Sequence, residues 1–179
     1  MKHLLILFMA LLLLGCKSPE ARPPVNTKSG SFIKESVERN KKLNKVERKR
    51  IEEVISNLPN KNFTISENGF WYRYNKKVDT SAETPQFGDR IEYSYDVSNL
   101  SGQTIYSKEE LGNQVYFMDK EELFSGLREG LKLMKPTEEI TFIFPSQKAY
   151  GYYGDDNKIG ANVPLICNVT LKTITQNND

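Results

Sequence analysis

The stretch that points most directly at a chemistry is rich in tyrosine. The hexapeptide Ala149-Tyr150-Gly151-Tyr152-Tyr153-Gly154 lies between two apolar, strand-like runs, Ile140–Phe144 and Val163–Ile174. Glycines on both sides make Tyr152 and Tyr153 the aromatics best placed for exposure, hence for contact with a polypeptide. The only histidine is His3, and the only cysteines are Cys16 and Cys167. His3 and Cys16 fall in or beside a leader segment. Past that segment there is no Ser-His or Cys-His nucleophile pair, no Cys/His zinc cluster and no second thiol for an intramolecular disulfide. Cys167, in an alternating strand, reads as a small buried hydrophobe. Any enzyme built here works without imidazole, and neither a metal nor a cofactor is expected.

The leader begins with the basic Met1-Lys2-His3. An apolar run, Leu4–Leu14, follows; it is shorter than the roughly 20 residues a membrane span requires. That is the layout of a secretory signal. Leu13-Leu14-Gly15-Cys16 has the form of a bacterial lipobox. The expectation is a lipoprotein signal peptide over residues 1–15 and acyl chains on Cys16, giving stable membrane attachment. An ordinary signal peptide with a chance cysteine is the alternative. Residues 16–30 contain Pro19, Pro23 and Pro24 and read as a flexible tether. Lys17 is no obvious inner-membrane retention signal, which points to the outer membrane, on its periplasmic or surface face.

The chain of 179 residues, with a net charge of +2, suits one domain with appendages. So balanced a charge makes no case for nucleic acid. Residues 31–58 carry no Gly or Pro and predict a charged helix, capped by Ser31 and ended by Pro59. Its apolar stripe is clearest at Ile51, Val54, Ile55 and Leu58. The helix either packs on the domain, pairs with a second copy, or binds an anionic surface through Lys41-Lys42, Lys45 and Arg48-Lys49-Arg50. Glu47, Glu52 and Glu53 interleave with those cations and favour the first two readings.

The pattern then turns to β. Gly69–Asn75 is aromatic and strand-like, with Trp71 read as packing. In Arg90–Val97, Ile91, Tyr93, Tyr95 and Val97 alternate with polar residues. Ser101-Gly102 is a turn before Gln103–Ser107. Lys108–Asn113 reads as a charged loop, and Gln114–Met118 as a strand. Asp119 and Glu122 have capping-box spacing ahead of a helix carrying Leu123, Leu127 and Leu131. Glu138–Pro145 and Val163–Thr175 close the set, with Leu165, Cys167, Val169 and Leu171 on one face. The prediction for residues 62–176 is an α+β domain, an antiparallel sheet wrapped around a short α-helix.

This succession resembles the FKBP-type peptidyl-prolyl isomerases. The resemblance rests on Phe87-Gly88-Asp89, Ser101-Gly102-Gln103, Leu123-Phe124-x-Gly126-Leu127-x-Glu129-Gly130-Leu131, Met134-Lys135, Ala149-Tyr150-Gly151-x-x-Gly154 and Pro164-Leu165-Ile166-x-x-Val169-x-Leu171. With the lipobox and the charged helix, the chain resembles the gliding-motility-associated FKBP-type lipoproteins of Bacteroidetes. The resemblance implies isomerisation of X–Pro bonds, a reaction that requires no proton transfer. It places Tyr95 and Tyr150 at a proline groove, with the Tyr150 hydroxyl reaching the bound carbonyl. Leu123 and Phe124 fall on an aliphatic pair, the second offering its backbone N–H, and Ile159 on an apolar loop position. The family's Phe-Asp pair is Ile105-Tyr106 here, its groove-floor Trp is Leu127, its late Phe is Cys167, and a further aromatic is Gln114 or Val115. Tyr106, Tyr152 and Tyr153 are candidate replacement walls. The implied partners are proline-containing polypeptides of the envelope. Two functions stay open: an isomerase that helps exported proteins fold, and a catalytically weak chaperone or scaffold on the same fold.

Overall fold

The computed structural model describes residues 29–79 and 81–177. The signal peptide, Cys16 and the tether as far as residue 28 lie outside them. The chain divides into two units between Glu38 and Arg39. The described part of the first is the opening of helix α1, Ser29–Asn57, where Phe32, Ile33 and Val37 are exposed. The helix therefore takes in Ser29 and Gly30, and Ser31 lies inside it rather than at its cap.

In the second unit, alternating sequence becomes a seven-stranded antiparallel sheet. Its strands are β1 (Thr64–Ile65), β2 (Trp71–Lys76), β3 (Arg90–Asn99), β4 (Thr104–Tyr106), β5 (Gln114–Phe117), β6 (Glu139–Phe144) and β7 (Leu165–Thr175). The order is β1-β2-β6-β7-β3-β4, with β5 also paired to β3. The long β3–β7 ladder sets Tyr95 opposite Val169 and Val97 opposite Cys167. Ile91, Tyr93, Tyr95 and Val97 all turn inward, as their period-2 spacing requires.

Helix α3, Ser125–Leu131, lies on the inner face. Leu127 and Leu131 are sealed there with Phe70, Phe142 and Phe144. Close approach explains Gly126: a β-carbon at that position would sit 2.5 Å from the Phe144 ring and 2.7 Å from the Lys148 carbonyl oxygen. The predicted capping box does not form. Phe124 is the N-cap residue and supplies no side-chain bond. Residues 119–124 instead make the turn out of β5. Asp119 takes a left-handed φ of 59° and pairs with Lys132 at 3.0 Å. The Tyr116 hydroxyl donates to the Glu121 carbonyl at 3.1 Å, tying that turn down. The expected charged loop contains a one-turn helix, α2 (Lys108–Leu111), whose Glu110 N–H donates to Ser107 Oγ at 3.2 Å.

The outer face divides into rows. Trp71, Ile143 and Ile166 stand side by side across β2, β6 and β7. The second half of α1 covers them, burying Ile51 completely, with Val54 and Ile55 packed alongside. Glu47 Oε1 accepts the Ser146 N–H at 2.7 Å, and Asn44 Nδ2 donates to Gln147 Oε1 at 2.8 Å. Packing on the domain is thus what the Ile51–Ile55 stripe does. The next row is polar and bonds to itself: Asn75 donates to Thr141 (2.8 Å), Thr141 to Asn168 (2.7 Å) and Asn168 to Asp96 (2.9 Å).

Candidate functional site

Tyr95, Ile105, Tyr106, Leu123, Phe124, Leu127, Tyr150, Ile159 and Cys167 all belong to, or pack against, one hydrophobic cluster. β3 contributes Tyr95, β4 Ile105 and Tyr106, and the residues before α3 Leu123 and Phe124. Leu127 comes from α3, Cys167 from β7, and Tyr150 and Ile159 from the segment between β6 and β7. They sort into two depths. Leu127 and Cys167 are fully buried and back the site rather than surface it. Tyr95 and Ile159 are nearly buried, whereas Ile105, Tyr106, Leu123, Phe124 and Tyr150 are half-buried.

Local structure places Tyr150. A 3-10 turn, Ser146–Lys148, follows β6. The Ser146 carbonyl accepts N–H groups from Ala149 (3.0 Å) and Gly151 (2.8 Å), which aims the intervening Tyr150. Its ring sits against Phe124 at 5.1 Å between centroids, and Phe124 meets Phe144 edge-on at 5.4 Å. Further along, Gly154 is required. Its φ is +77°, and a β-carbon there would stand 2.2 Å from the Ile159 carbonyl oxygen.

The tyrosine hydroxyls decide what this patch can do. Neither Tyr95 nor Tyr150 finds a hydrogen-bond partner among the described residues, and neither oxygen is among the sealed unpartnered atoms, Ser94 Oγ and Arg128 Nε. Burial, then nearby Asp155, Cys167 and Tyr106, push the Tyr150 hydroxyl up to about 12. Burial, then Tyr150, Cys167 and Tyr106, raise Tyr95. Both stay protonated at neutral pH and are ready donors. The Phe124 N–H also takes no partner among the described residues. The arrangement is an apolar floor with donors and no base. Burial, then Asp96, raises the Cys167 thiol, so it is no nucleophile.

The sequence reading missed Asp155. The Tyr106 hydroxyl donates to Asp155 Oδ2, and Asp155 Oδ1 accepts N–H groups from Ile159 (2.7 Å) and Asn157 (3.0 Å). Burial works against the Asp155 carboxylate, but those bonds hold it below the usual carboxylate range. An acid followed by N–H groups two and four residues on is a readable loop pattern. Its partner Tyr106, 49 residues away, is not. Tyr152 and Tyr153 are 73% and 85% exposed and pack edge-on at 5.4 Å; they stand away from the patch. Gln114 Nε2 donates to the Leu111 carbonyl at 2.6 Å, Val115 is exposed, and Tyr116 is the buried aromatic on that strand.

An open polar depression of about 690 Å³ lies at the β1–β2 edge, lined by residues such as Asn62, Arg73 and Asn75. Tyr72 and Tyr74 reach its wall, but Tyr95, Tyr106 and Tyr150 do not, and it holds no carboxylate, thiol or imidazole. Among the described residues there is no group of three or more His, Cys, Asp or Glu able to hold a metal ion. Nor, among those residues, is any helix long and apolar enough to cross a membrane.

Residues 81–172 match the family described as FKBP-type peptidyl-prolyl cis-trans isomerase. The probable FKBP-type peptidyl-prolyl cis-trans isomerase FkpA of Neisseria meningitidis serogroup B is 30% identical over 106 residues. That match takes in 59% of this chain and 38% of the relative, so the chain spans well under half of that protein's length. Among solved structures, a peptidyl-prolyl cis-trans isomerase from Pseudomonas syringae pv. tomato aligns with a TM-score of 0.60 at 20% identity, over 76% of this chain and 96% of that one. FkpA from Escherichia coli aligns with a TM-score of 0.60 at 20% identity, over 98% of this chain and 82% of that one. These two likenesses bear on the fold.

Proposed function

Because this chain belongs to the FKBP-type peptidyl-prolyl cis-trans isomerase family, we propose that it speeds cis–trans rotation about X–Pro bonds in exported polypeptides. The barrier, about 18–20 kcal/mol, arises because the amide loses resonance as it twists. A prolyl ring seated on the patch formed by Leu123, Phe124 and Ile159 leaves the preceding carbonyl near the Tyr150 hydroxyl. Hydrogen bonds that strengthen as that oxygen twists out of conjugation lower the barrier by binding the transition state better than either ground state. No proton changes hands. The observation that carries this reading is the pair of protonated, unpartnered hydroxyls, Tyr95 and Tyr150, above a sealed apolar floor. The test is refolding of a proline-limited protein, together with a protease-free proline-peptide assay, using the full chain in detergent. No acceleration at micromolar protein overturns the enzyme reading. If peptide still binds, the second reading, a weakly active chaperone or scaffold, takes its place. The exposed Tyr152-Tyr153 pair favours that alternative.

The setting is part of the proposal. Leu13-Leu14-Gly15-Cys16 supports cleavage before Cys16 and a lipid anchor, with the outer membrane as the address. Release of the Cys16→Ala protein from membranes is expected, and continued attachment refutes a purely lipid anchor. Resemblance to gliding-motility-associated lipoproteins supports clients in that machinery; unaltered surface spreading after deletion of the gene argues against it. Exposed Phe32, Ile33 and Val37 support pairing of two copies through residues 31–58. Concentration-independent sedimentation refutes that pairing.

A further inference from the structure

We propose that Tyr106 and Asp155 form a latch that positions the groove wall, so that Asp155 tunes proline-peptide affinity without touching the peptide. The inference rests on the isomerase reading for its substrate, but the latch has its own observables. The segment from Gly154 to Ile159 joins the Tyr150 loop to the approach to β7 and carries one apolar wall residue, Ile159. Two elements converge on it, and it also bonds to itself. From β4, the Tyr106 hydroxyl donates to Asp155 Oδ2 and accepts the Lys158 N–H at 3.3 Å. From within the segment, Asp155 Oδ1 accepts the Ile159 N–H at 2.7 Å and the Asn157 N–H at 3.0 Å. From α2, Glu110 pairs with the Lys158 ammonium, which also lies 4.8 Å from the centre of the Tyr106 ring.

The strand position that has an aspartate in the resembled family carries Tyr106 here, and the carboxylate comes from the facing loop instead. One carboxylate thereby fixes two things at once. It holds the Ile159 backbone, so the side chain stays 3% exposed against the cluster. It also engages the Tyr106 hydroxyl as a donor, whereas the Tyr150 and Tyr95 hydroxyls carry no such bond among the described residues and are free to donate to substrate. Charge-assisted bonds of this kind are the stronger sort. A loop held by one is preorganised, which shows in binding more than in the step that follows.

The test uses the full-length protein with Asp155→Ala, Asp155→Asn, Tyr106→Phe and the Asp155→Ala/Tyr106→Phe pair. Amide hydrogen exchange reads the latch directly. Exchange of the Ile159 N–H should accelerate at least tenfold in Asp155→Ala and less in Asp155→Asn, which keeps an acceptor. In the proline-peptide assay the dissociation constant should rise at least about tenfold in Asp155→Ala, the lower end for one lost charge-assisted hydrogen bond. Turnover of bound peptide should change less than twofold, and Asp155→Asn should recover most of the affinity. The paired variant should be no worse than Asp155→Ala alone, since both changes open one latch. Tyr106→Phe removes a single half-buried hydroxyl and keeps the test alive if Asp155→Ala folds poorly. Unchanged Ile159 exchange, additive losses in the pair, or a loss confined to turnover each overturn the latch. Failure of the unaltered protein to bind any proline peptide instead overturns the isomerase reading, and the exchange data then decide the latch alone.

Discussion

Replacing Tyr150 by Phe removes one oxygen and leaves the ring. Its 5.1 Å contact with Phe124 survives. The hydroxyl has no partner among the described residues, so its loss strands no buried donor or acceptor. What is forfeited is the bond to the twisting carbonyl. A neutral hydrogen bond contributes about 0.5–1.5 kcal/mol net. At about 1.4 kcal/mol per factor of ten, kcat/KM should fall roughly 2- to 13-fold. Stability should move by less than about 0.5 kcal/mol, as for a substitution outside any bonded network. Exchange spectroscopy on a proline peptide gives the first number, and the urea midpoint gives the second. Unchanged kcat/KM would show that the hydroxyl does not meet the reacting carbonyl. A stability loss above about 1 kcal/mol would show that it served the fold instead.

Other outcomes follow from packing and ionisation. The Tyr150 hydroxyl is held up to about 12, while an unfolded tyrosine titrates near 10. The folded state therefore keeps a proton that the unfolded chain gives up. This stabilisation is complete below about pH 10 and is lost as pH rises toward 12; a flat urea midpoint across that window would contradict it. Ile51→Ala empties a fully buried site beside Trp71 and should cost about 2–5 kcal/mol. Trp71 is the chain's one tryptophan, so its emission should shift red, and a cost below about 1 kcal/mol would mean the helix is not docked. Cys167 should resist thiol reagents until the protein unfolds; prompt labelling in native buffer would refute its burial.

The strands were legible because their chemistry is local. Ile91, Tyr93, Tyr95 and Val97 must share one face whatever lies around them. The floor was legible for the same reason: Cys167 sits in an alternating strand and is sealed. The capping box failed because Asp119 and Glu122 have the right spacing but the wrong backbone. The chain turns at Asp119, whose φ is 59°, and ion pairs with Lys132 and Arg128 satisfy its carboxylate. Helix α2 escaped notice because four residues are too few for a period; Ser107 as a cap was the signal available. The Tyr106–Asp155 contact was illegible in principle. Each residue has an ordinary local reading, and only the closing of β4 against the long loop brings them together.

The docking of α1 bears on where this chain can be divided. The family match begins at residue 81, and the sheet begins at Thr64, so either point looks like a sensible place to cut. Neither is. A protein starting after α1 would show water a row of Trp71, Leu100, Ile143 and Ile166 that Ile51, Val54 and Ile55 now cover. It would also lose the Glu47 carboxylate that holds the Ser146 N–H, the turn from which Tyr150 is aimed. The compact unit that begins at Arg39 keeps all of these contacts. An inactive or aggregating fragment cut at residue 60 would report on the missing helix, not on the groove.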